Sequence, residues 1–152
     1  MAKKTKLIYV AIPYNHKDEK VRQARFELAT RATAYLLKKG IMAFSSITHN
    51  HHIIPLLQPD RFKKTDRYNK SGWEFWKRYD ELLLSKCDEL IIVKAEGWKE
   101  SIGVNAEIAF AKKHKMQVSY IDPFDICPSC CAELYHQAAD WVCLDCGWRR
   151  CT

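Results

Sequence analysis

The run Leu90-Ile91-Ile92-Val93-Lys94-Ala95-Glu96-Gly97-Trp98-Lys99-Glu100-Ser101-Ile102-Gly103-Val104-Asn105-Ala106-Glu107-Ile108-Ala109-Phe110-Ala111 reads as a buried strand, a Gly-bounded loop and the start of a helix. It places Glu107 in the first turn of a helix at the C-terminal end of a strand, where open α/β sheets form their ligand crevice. The positive end of the helix dipole favours an ionised acid there, so Glu107 is expected to be a carboxylate at neutral pH, suited to a nucleophile. Acids in first turns also serve simply as caps and dipole partners, so the residue has to be read together with the rest of the chain.

Working outward, Leu7-Ile8-Tyr9-Val10-Ala11-Ile12 is a second continuous apolar run, a strand covered on both faces, broken by Pro13-Tyr14-Asn15-His16. From about Asp18 to Lys39 the pattern is helical, with Val21, Ala24, Leu28, Ala32, Tyr35 and Leu36 at three- and four-residue spacing and Gly40 where a C-terminal cap belongs. A strand over Ile41 to Phe44 follows. Ser45 to Gly72 carries no sustained period and holds two prolines, three histidines and Arg61-Phe62-Lys63-Lys64, as functional loops often do. Helical spacing resumes from Trp73 to Lys86 through Trp76, Tyr79, Leu83 and Leu84. Strand three is read at Glu89 to Lys94, a helix at about Asn105 to Lys113, and strand four at Gln117 to Asp122. Strands alternating with helices argue a parallel sheet with right-handed crossovers, and we expect four strands in the flavodoxin-like order 2-1-3-4.

The 152 residues suffice for one α/β domain over residues 1–123 and a small module over 124–152, with Pro123-Phe124-Asp125 as the boundary. A hydrophobic content of 47% is that of a globular protein. There is no internal repeat and no low-complexity tract. The lysine-rich start leads directly into a strand with no signal-peptide pattern, and no run of about 18 apolar residues occurs, so a cytoplasmic, non-membrane protein is expected. The formal charge of +7 is dispersed and falls to about +5 if four thiolates hold one Zn²⁺. Nucleic-acid binding is therefore not compelled.

Six of the seven cysteines lie between Cys127 and Cys151, which excludes a disulfide framework spread over a secreted fold. Cys127-Pro-Ser-Cys130 and Cys143-Leu-Asp-Cys146-Gly147, twelve residues apart, form two CxxC knuckles. Four thiolates at this spacing make a zinc ribbon with no open coordination position, hence a structural zinc. Gly147 permits the tight turn beneath the second pair. Cys131 stands where ribbons often carry glycine, and Cys151 lies just past the second knuckle; each is either a spare thiol or a substitute ligand. Trp141, Trp148, Arg149 and Arg150 suit a brace, a protein partner or nucleic acid equally.

Three motifs carry a family resemblance. Tyr9-Val10-Ala11-Ile12-Pro13-Tyr14 after the first strand, Asp80 eight residues before Asp88, and Ser101-x-Gly103-Val104-x-x-Glu107 together resemble the nucleoside 2-deoxyribosyltransferase superfamily. The stretch from Gly97 to Glu107 is similar to a branch of uncharacterised domains with the pattern Gly-Trp-x-x-Ser-x-Gly-Val-x-x-Glu. The resemblance covers about residues 6 to 122. It implies that Glu107 attacks the anomeric carbon of a nucleoside or nucleotide, that Asp80 contacts the base and assists its departure, and that Tyr9 orients the nucleophile. An oxocarbenium-like centre needs one carboxylate, and a leaving base needs a proton from another.

Ser101 separates the branches. Transferases acting on unphosphorylated nucleosides have an Asp six residues before the nucleophile, whereas the branch hydrolysing deoxynucleoside 5′-monophosphates has a serine that binds phosphate. A hydroxyl and amides at a helix start accept a phosphate that an Asp would repel. The resemblance thus implies an N-glycosidase acting on a nucleoside 5′-monophosphate, with Ser101, Gly103 and Val104 in the binding loop. The phosphate loop of those hydrolases is replaced here by Ile12-Pro13-Tyr14-Asn15-His16, which brings Asn15 to the site. Many relatives complete the pocket from a neighbouring subunit, so a homo-oligomer is expected.

Ser45-Ser46-Ile47-Thr48-His49 follows strand two at the same sheet edge, so its polar side chains, Ser45 and His49 foremost, can line the base pocket, with ordinary loop polarity as the alternative. His49, His51 and His52 lack a further ligand at familiar metal spacing. Trp73 and Trp76 read as packing residues, one of them able to stack on a base. Arg22 and Arg25 read as a solvated helix face, with phosphate contact as the alternative. Other functions left open are transfer of the sugar to a second base, cleavage of a dinucleotide, and a non-catalytic nucleotide or nucleic-acid adaptor.

Overall fold

Strand β1 (Leu7–Ala11) sets the architecture because both of its faces are covered. In the computed structural model, which describes residues 5–57 and 69–151, four parallel strands lie in the order β2-β1-β3-β4, with β2 at Met42–Phe44, β3 at Glu89–Val93 and β4 at Gln117–Ile121. Tyr9 pairs with Leu90 of β3 and with Phe44 of β2, and Ile91 pairs with Ser119 of β4. The two-residue period of a strand then divides the core. Ile8, Val10, Ile12, Ile91 and Val93 face helix α1 (Glu19–Lys38), whereas Tyr9, Ala11, Leu90 and Ile92 face α4 (Asn69–Leu84) and α5 (Ile102–Lys113).

Helix α1 starts where Asp18 accepts a hydrogen bond from the Lys20 amide at 2.9 Å. It approaches the sheet closely through Ala29 and Ala32, both wholly buried. Its end is a Schellman motif: the Ile41 amide donates to the Leu36 carbonyl at 3.0 Å, the Gly40 amide to Leu37 at 2.9 Å, and Gly40 has φ +75°.

The stretch after β2, expected to be irregular, contains two short helices, α2 (Ser46–Asn50) and α3 (Ile54–Leu57), too short for their periods to register in sequence. Residues 58–68, including Arg61-Phe62-Lys63-Lys64, lie outside the described residues. Helix α4 begins at Asn69 rather than Trp73. Helix α5 begins at Ile102, because Ser101 caps it by accepting from the Val104 amide at 3.3 Å. Glu107 is accordingly the sixth residue of α5, in its second turn and not its first.

After β4, Asp122 caps a 3-10 turn over Pro123–Asp125. An antiparallel sheet of β5 (Leu134–Gln137), β6 (Asp140–Cys143) and β7 (Arg149–Cys151) follows. This module is seated on the α1 side: Ile126, 3% exposed, belongs to the core between α1 and the sheet, and Cys131 packs against it. Tyr35 Oη and Lys39 Nζ both reach Glu133 Oε1 at 3.2 Å. The Lys39–Glu133 pair is exposed and contributes little, so burial of Ile126 is the stronger attachment. Among the described residues no helix is long and apolar enough to cross a membrane.

A methyl group at Gly40 would meet nothing within 4 Å, so Gly40→Ala isolates the backbone cost of the positive φ. A loss of about 1 kcal/mol is expected, read as a fall of roughly 3 °C in Tm by calorimetry.

Candidate active site

The α4/α5 face of the sheet holds a polar cluster inside an otherwise apolar core. Tyr9 is fully buried, and its Oη lies 2.9 Å from Glu107 Oε1 and 2.8 Å from Ser46 Oγ. Three elements meet there: Tyr9 from β1, Ser46 from the first residue of α2, and Glu107 from α5, 98 residues beyond Tyr9. Asp80 of α4 completes the group. Its charge acts on both Tyr9 and Glu107, and its Oδ1 is buried without a hydrogen-bond partner.

Burial governs the protonation of both acids. Glu107, 9% exposed, is pushed up to about 8, first by burial and then by the Asp80 charge, against the opposing hydrogen bond from Tyr9. Burial likewise raises Asp80 to about 6, against the hydrogen bonds of Ser46 and Tyr9. Burial and the two carboxyls hold Tyr9 well above its ordinary range, so it stays a phenol. The expectation of an ionised Glu107 at neutral pH is thus corrected. From the second turn the helix dipole acts weakly, and desolvation wins.

The other expected binding residues fall at different depths. Ser101 caps α5, and a Cβ built on Gly103 would lie 3.9 Å from Ser101 Oγ and 4.0 Å from the Trp73 ring, so Trp73 stands at the rim of this loop. The Val104 side chain is buried in the core with Leu90 and Ile92. His49 and Asn15 are exposed. Ser45 is fully buried with an unpartnered Oγ, but its backbone is extended (φ −121°, ψ 127°), so strand parity continues through it. Ala43 packs on the α1 side and Phe44 on the α4/α5 side; Ser45 therefore follows Ala43, and Ser46 follows Phe44 to the cluster. Ser46 belongs to the polar stretch read from the sequence as a pocket lining but was not singled out there; this parity was the signal that separates it from Ser45.

Arg22 and Arg25 are not a solvated face. Arg25 donates to the carbonyls of Asn15 at 3.1 Å and Glu96 at 3.3 Å, tying the loop after β1 to the loop after β3, and Arg22 holds the carbonyls of His16 and Lys17. His51 is a packing residue: it stacks on Phe26 with centroids 4.1 Å apart, while Tyr14 Oη and Gln23 Oε1 engage its two nitrogens at 2.8 and 3.0 Å.

The second site is the ribbon. The sulfurs of Cys127, Cys130, Cys143 and Cys146 all lie within 4.8 Å of one another, with 3.7 Å between Cys127 and Cys146 and 3.5 Å between Cys130 and Cys143. A zinc ion at 2.3 Å from four tetrahedral thiolates spaces the sulfurs by roughly 3.8 Å, so the cluster fits a structural zinc site. The knuckles repeat one hydrogen-bond pattern: the amides of Cys131 and Gly147 donate to the carbonyls of Cys127 and Cys143, and the amides of Cys127 and Cys143 donate to Ala132 and Trp148. Cys131 (φ +60°) thus occupies the left-handed position held by Gly147 (φ +75°) in the other knuckle.

Fold and sites together define an α/β protein with a buried tyrosine and two carboxyls on one face of a parallel sheet and a four-cysteine zinc-binding ribbon at its end. Over residues 6–122 the sequence matches the family described as "Domain of unknown function (DUF1937)", and the chain belongs to that family. No curated protein matches the sequence.

Because folded Glu107 keeps its proton to about 8 while an ordinary glutamic acid loses it near 4.5, its burial costs stability progressively as pH rises between those values. Glu107→Gln, which cannot ionise, should gain stability relative to the wild type from pH 5 to pH 8.5, by on the order of 1–3 kcal/mol in denaturant titrations.

Zinc analysis should return one ion per chain, and Cys143→Ser should abolish it. In that variant amide exchange in β5–β7 should accelerate at least about tenfold, with β1 and β3 still protected.

Proposed function

We propose that this protein hydrolyses the base–sugar bond of a nucleoside 5′-monophosphate through a Glu107 nucleophile. The observation that carries this reading is the buried hydrogen bond between Tyr9 and Glu107 beside Asp80, because a desolvated carboxyl pair is a costly feature that a purely structural core does not need. The likeness to nucleoside 2-deoxyribosyltransferases over the same elements supports it.

In this reading a Glu107 oxygen bonds to the anomeric carbon as the carbon–nitrogen bond breaks. The bonding pair stays with the base, and Asp80 supplies the proton that lets the base leave neutral. Water then attacks the anomeric carbon, gives its proton to Asp80 and releases Glu107 as a carboxylate. The unpartnered Asp80 Oδ1 is the atom left to face the base. Ser101 and the start of α5 take the 5′-phosphate, for which a helix N-terminus without an acid in its first turn is suited.

Charge weighs against a nucleic-acid adaptor. Residues 124–152 carry Asp125, Glu133, Asp140 and Asp145 against Arg149 and Arg150, and a zinc tetrathiolate adds two further negative charges.

The test is to incubate the protein, beside Glu107→Ala, with ribo- and deoxyribonucleoside 5′-monophosphates and the free nucleosides, and to measure released base by chromatography with mass spectrometry. Base should appear from a monophosphate, and Glu107→Ala should lower the rate at least about 10³-fold. Ser101→Asp keeps a helix-capping oxygen but adds a charge, and should raise KM for the monophosphate about tenfold or more. With the pair sharing one proton between about 6 and 8, kcat/KM should be bell-shaped, falling below about 6 as both acids are protonated and above about 8 as both are ionised. Exchange of a second base into the product identifies a transferase instead. No release from any substrate by folded, zinc-loaded protein overturns the reading.

A further inference from the structure

We propose that His51 is a positioning residue for the buried cluster: it clasps the far end of α2 between α1 and the loop after β1, and so sets where Ser46 meets Tyr9. The catalytic consequence rests on the function proposed above, whose site this deepens; the clasp itself is present in the free protein.

A helix of five residues does not hold its own shape, and Ser45 gives α2 no side-chain cap, so its surroundings must fix where it lies. At its first residue, Ser46 is 2% exposed and its Oγ lies 2.8 Å from Tyr9 Oη. The phenol has one proton, so when that proton goes to Glu107 the Ser46 hydroxyl donates to the phenol oxygen and holds it in place. At the other end, His51 keeps helical angles (φ −52°, ψ −44°) and its amide donates to the Ile47 carbonyl at 3.1 Å. The imidazole therefore moves with the last turn of α2.

His51 is held in every direction. Its ring lies flat on Phe26, with centroids 4.1 Å apart and planes 8° apart, and meets the Tyr14 ring edge-on at 5.8 Å. Gln23 Oε1, 3.0 Å from Nε2, can only accept, so Nε2 carries the ring proton and Nδ1 accepts from the Tyr14 hydroxyl at 2.8 Å. The stack fixes the plane of the ring, and the two hydrogen bonds fix its rotation in that plane. Burial, then the charges of His52 and Arg22, lower the His51 pKa against the pull of Glu19 and Glu27, which keeps the ring neutral near pH 7. Tyr14 follows Tyr9 in the segment that leaves β1, so both ends of α2 are tied to that one segment. Loss of the His51 end frees α2 to tilt, and Ser46 then leaves the phenol.

The clasp is tested without substrate, in protein labelled with carbon-13 at tyrosine Cζ, whose shift follows hydrogen bonding at the phenol, with Tyr9→Phe for assignment. His51→Ala and Ser46→Ala should move the Tyr9 signal in the same direction, and the double variant should sit where Ser46→Ala sits, because His51 reaches Tyr9 through Ser46. Gln23→Ala, at an exposed residue, removes one hydrogen bond of the ring and should give a smaller movement the same way; it supplies the reading if His51→Ala does not fold. Nitrogen-15 NMR should show His51 as the Nε2–H tautomer at pH 7. A Tyr9 signal that stays in place in these variants, movements that add in the double variant, or the other tautomer overturns the clasp. In the base-release assay His51→Ala should lower kcat about tenfold with KM changed less than about twofold, and in the Ser46→Ala protein it should lower kcat less than about twofold further. A residue that only packs would lower kcat by the same factor in both, and that result also overturns the clasp. Absence of base release overturns the glycosidase alone, since the shifts are read on the free protein.

Discussion

The hydrogen bond from Tyr9 to Glu107 is the constraint around which the α/β domain is arranged. A carboxyl in the core beneath α5 is tolerated only with hydroxyl partners, and the nearest strand position of the right parity is Tyr9, at the middle of β1. Its phenol must in turn be held, which brings the first residue of α2 onto the sheet. Asp80 adds a second acid, and burial raises both above the ordinary carboxylate range, so near neutrality the cluster retains a proton that exposed acids would have lost. A buried acid pair of this kind costs the core stability.

The loops at the C-terminal edge of the sheet are fixed by backbone contacts more than by side-chain pairs. Arg25, in the second turn of α1, joins the carbonyls that follow β1 and β3, and Gly97 (φ +78°) leaves the Arg25 guanidinium 3.5 Å from where a Cβ would lie. The guanidinium fork suits two acceptors from different loops, a role that the compact charge of lysine would not fill.

The ribbon follows separate physics. Its core is Cys127, Ala132, Leu134 and Cys143, too small to fold on apolar burial alone, so four thiolates and a metal supply what the core lacks. Cys131 accepts a left-handed backbone that costs about 1 kcal/mol in a non-glycine residue, and its side chain packs against the core around Ile126. That contact gives a physical reason for a side chain where the other knuckle has glycine.

Much of this was legible in the sequence, because it depends on short-range periodicity. Continuous apolar runs at Leu7–Ile12 and Leu90–Val93 required strands covered on both faces, the spacing from Val21 to Leu36 with Gly40 beyond it required α1, and two CxxC knuckles required a tetrathiolate site. Helix edges were less legible, because Gly103 hides the continuation of α5 back to its cap at Ser101, and the four- and five-residue helices after β2 have no period to detect. Tertiary structure alone brought Tyr9, Ser46, Asp80 and Glu107 together, since residues 98 positions apart in the chain meet only when two crossovers return to one face of the sheet. It also reversed the expected charge of Glu107, for a reason that sequence does not contain: local order fixes the helix dipole, but desolvation depends on what every other element packs around the carboxyl.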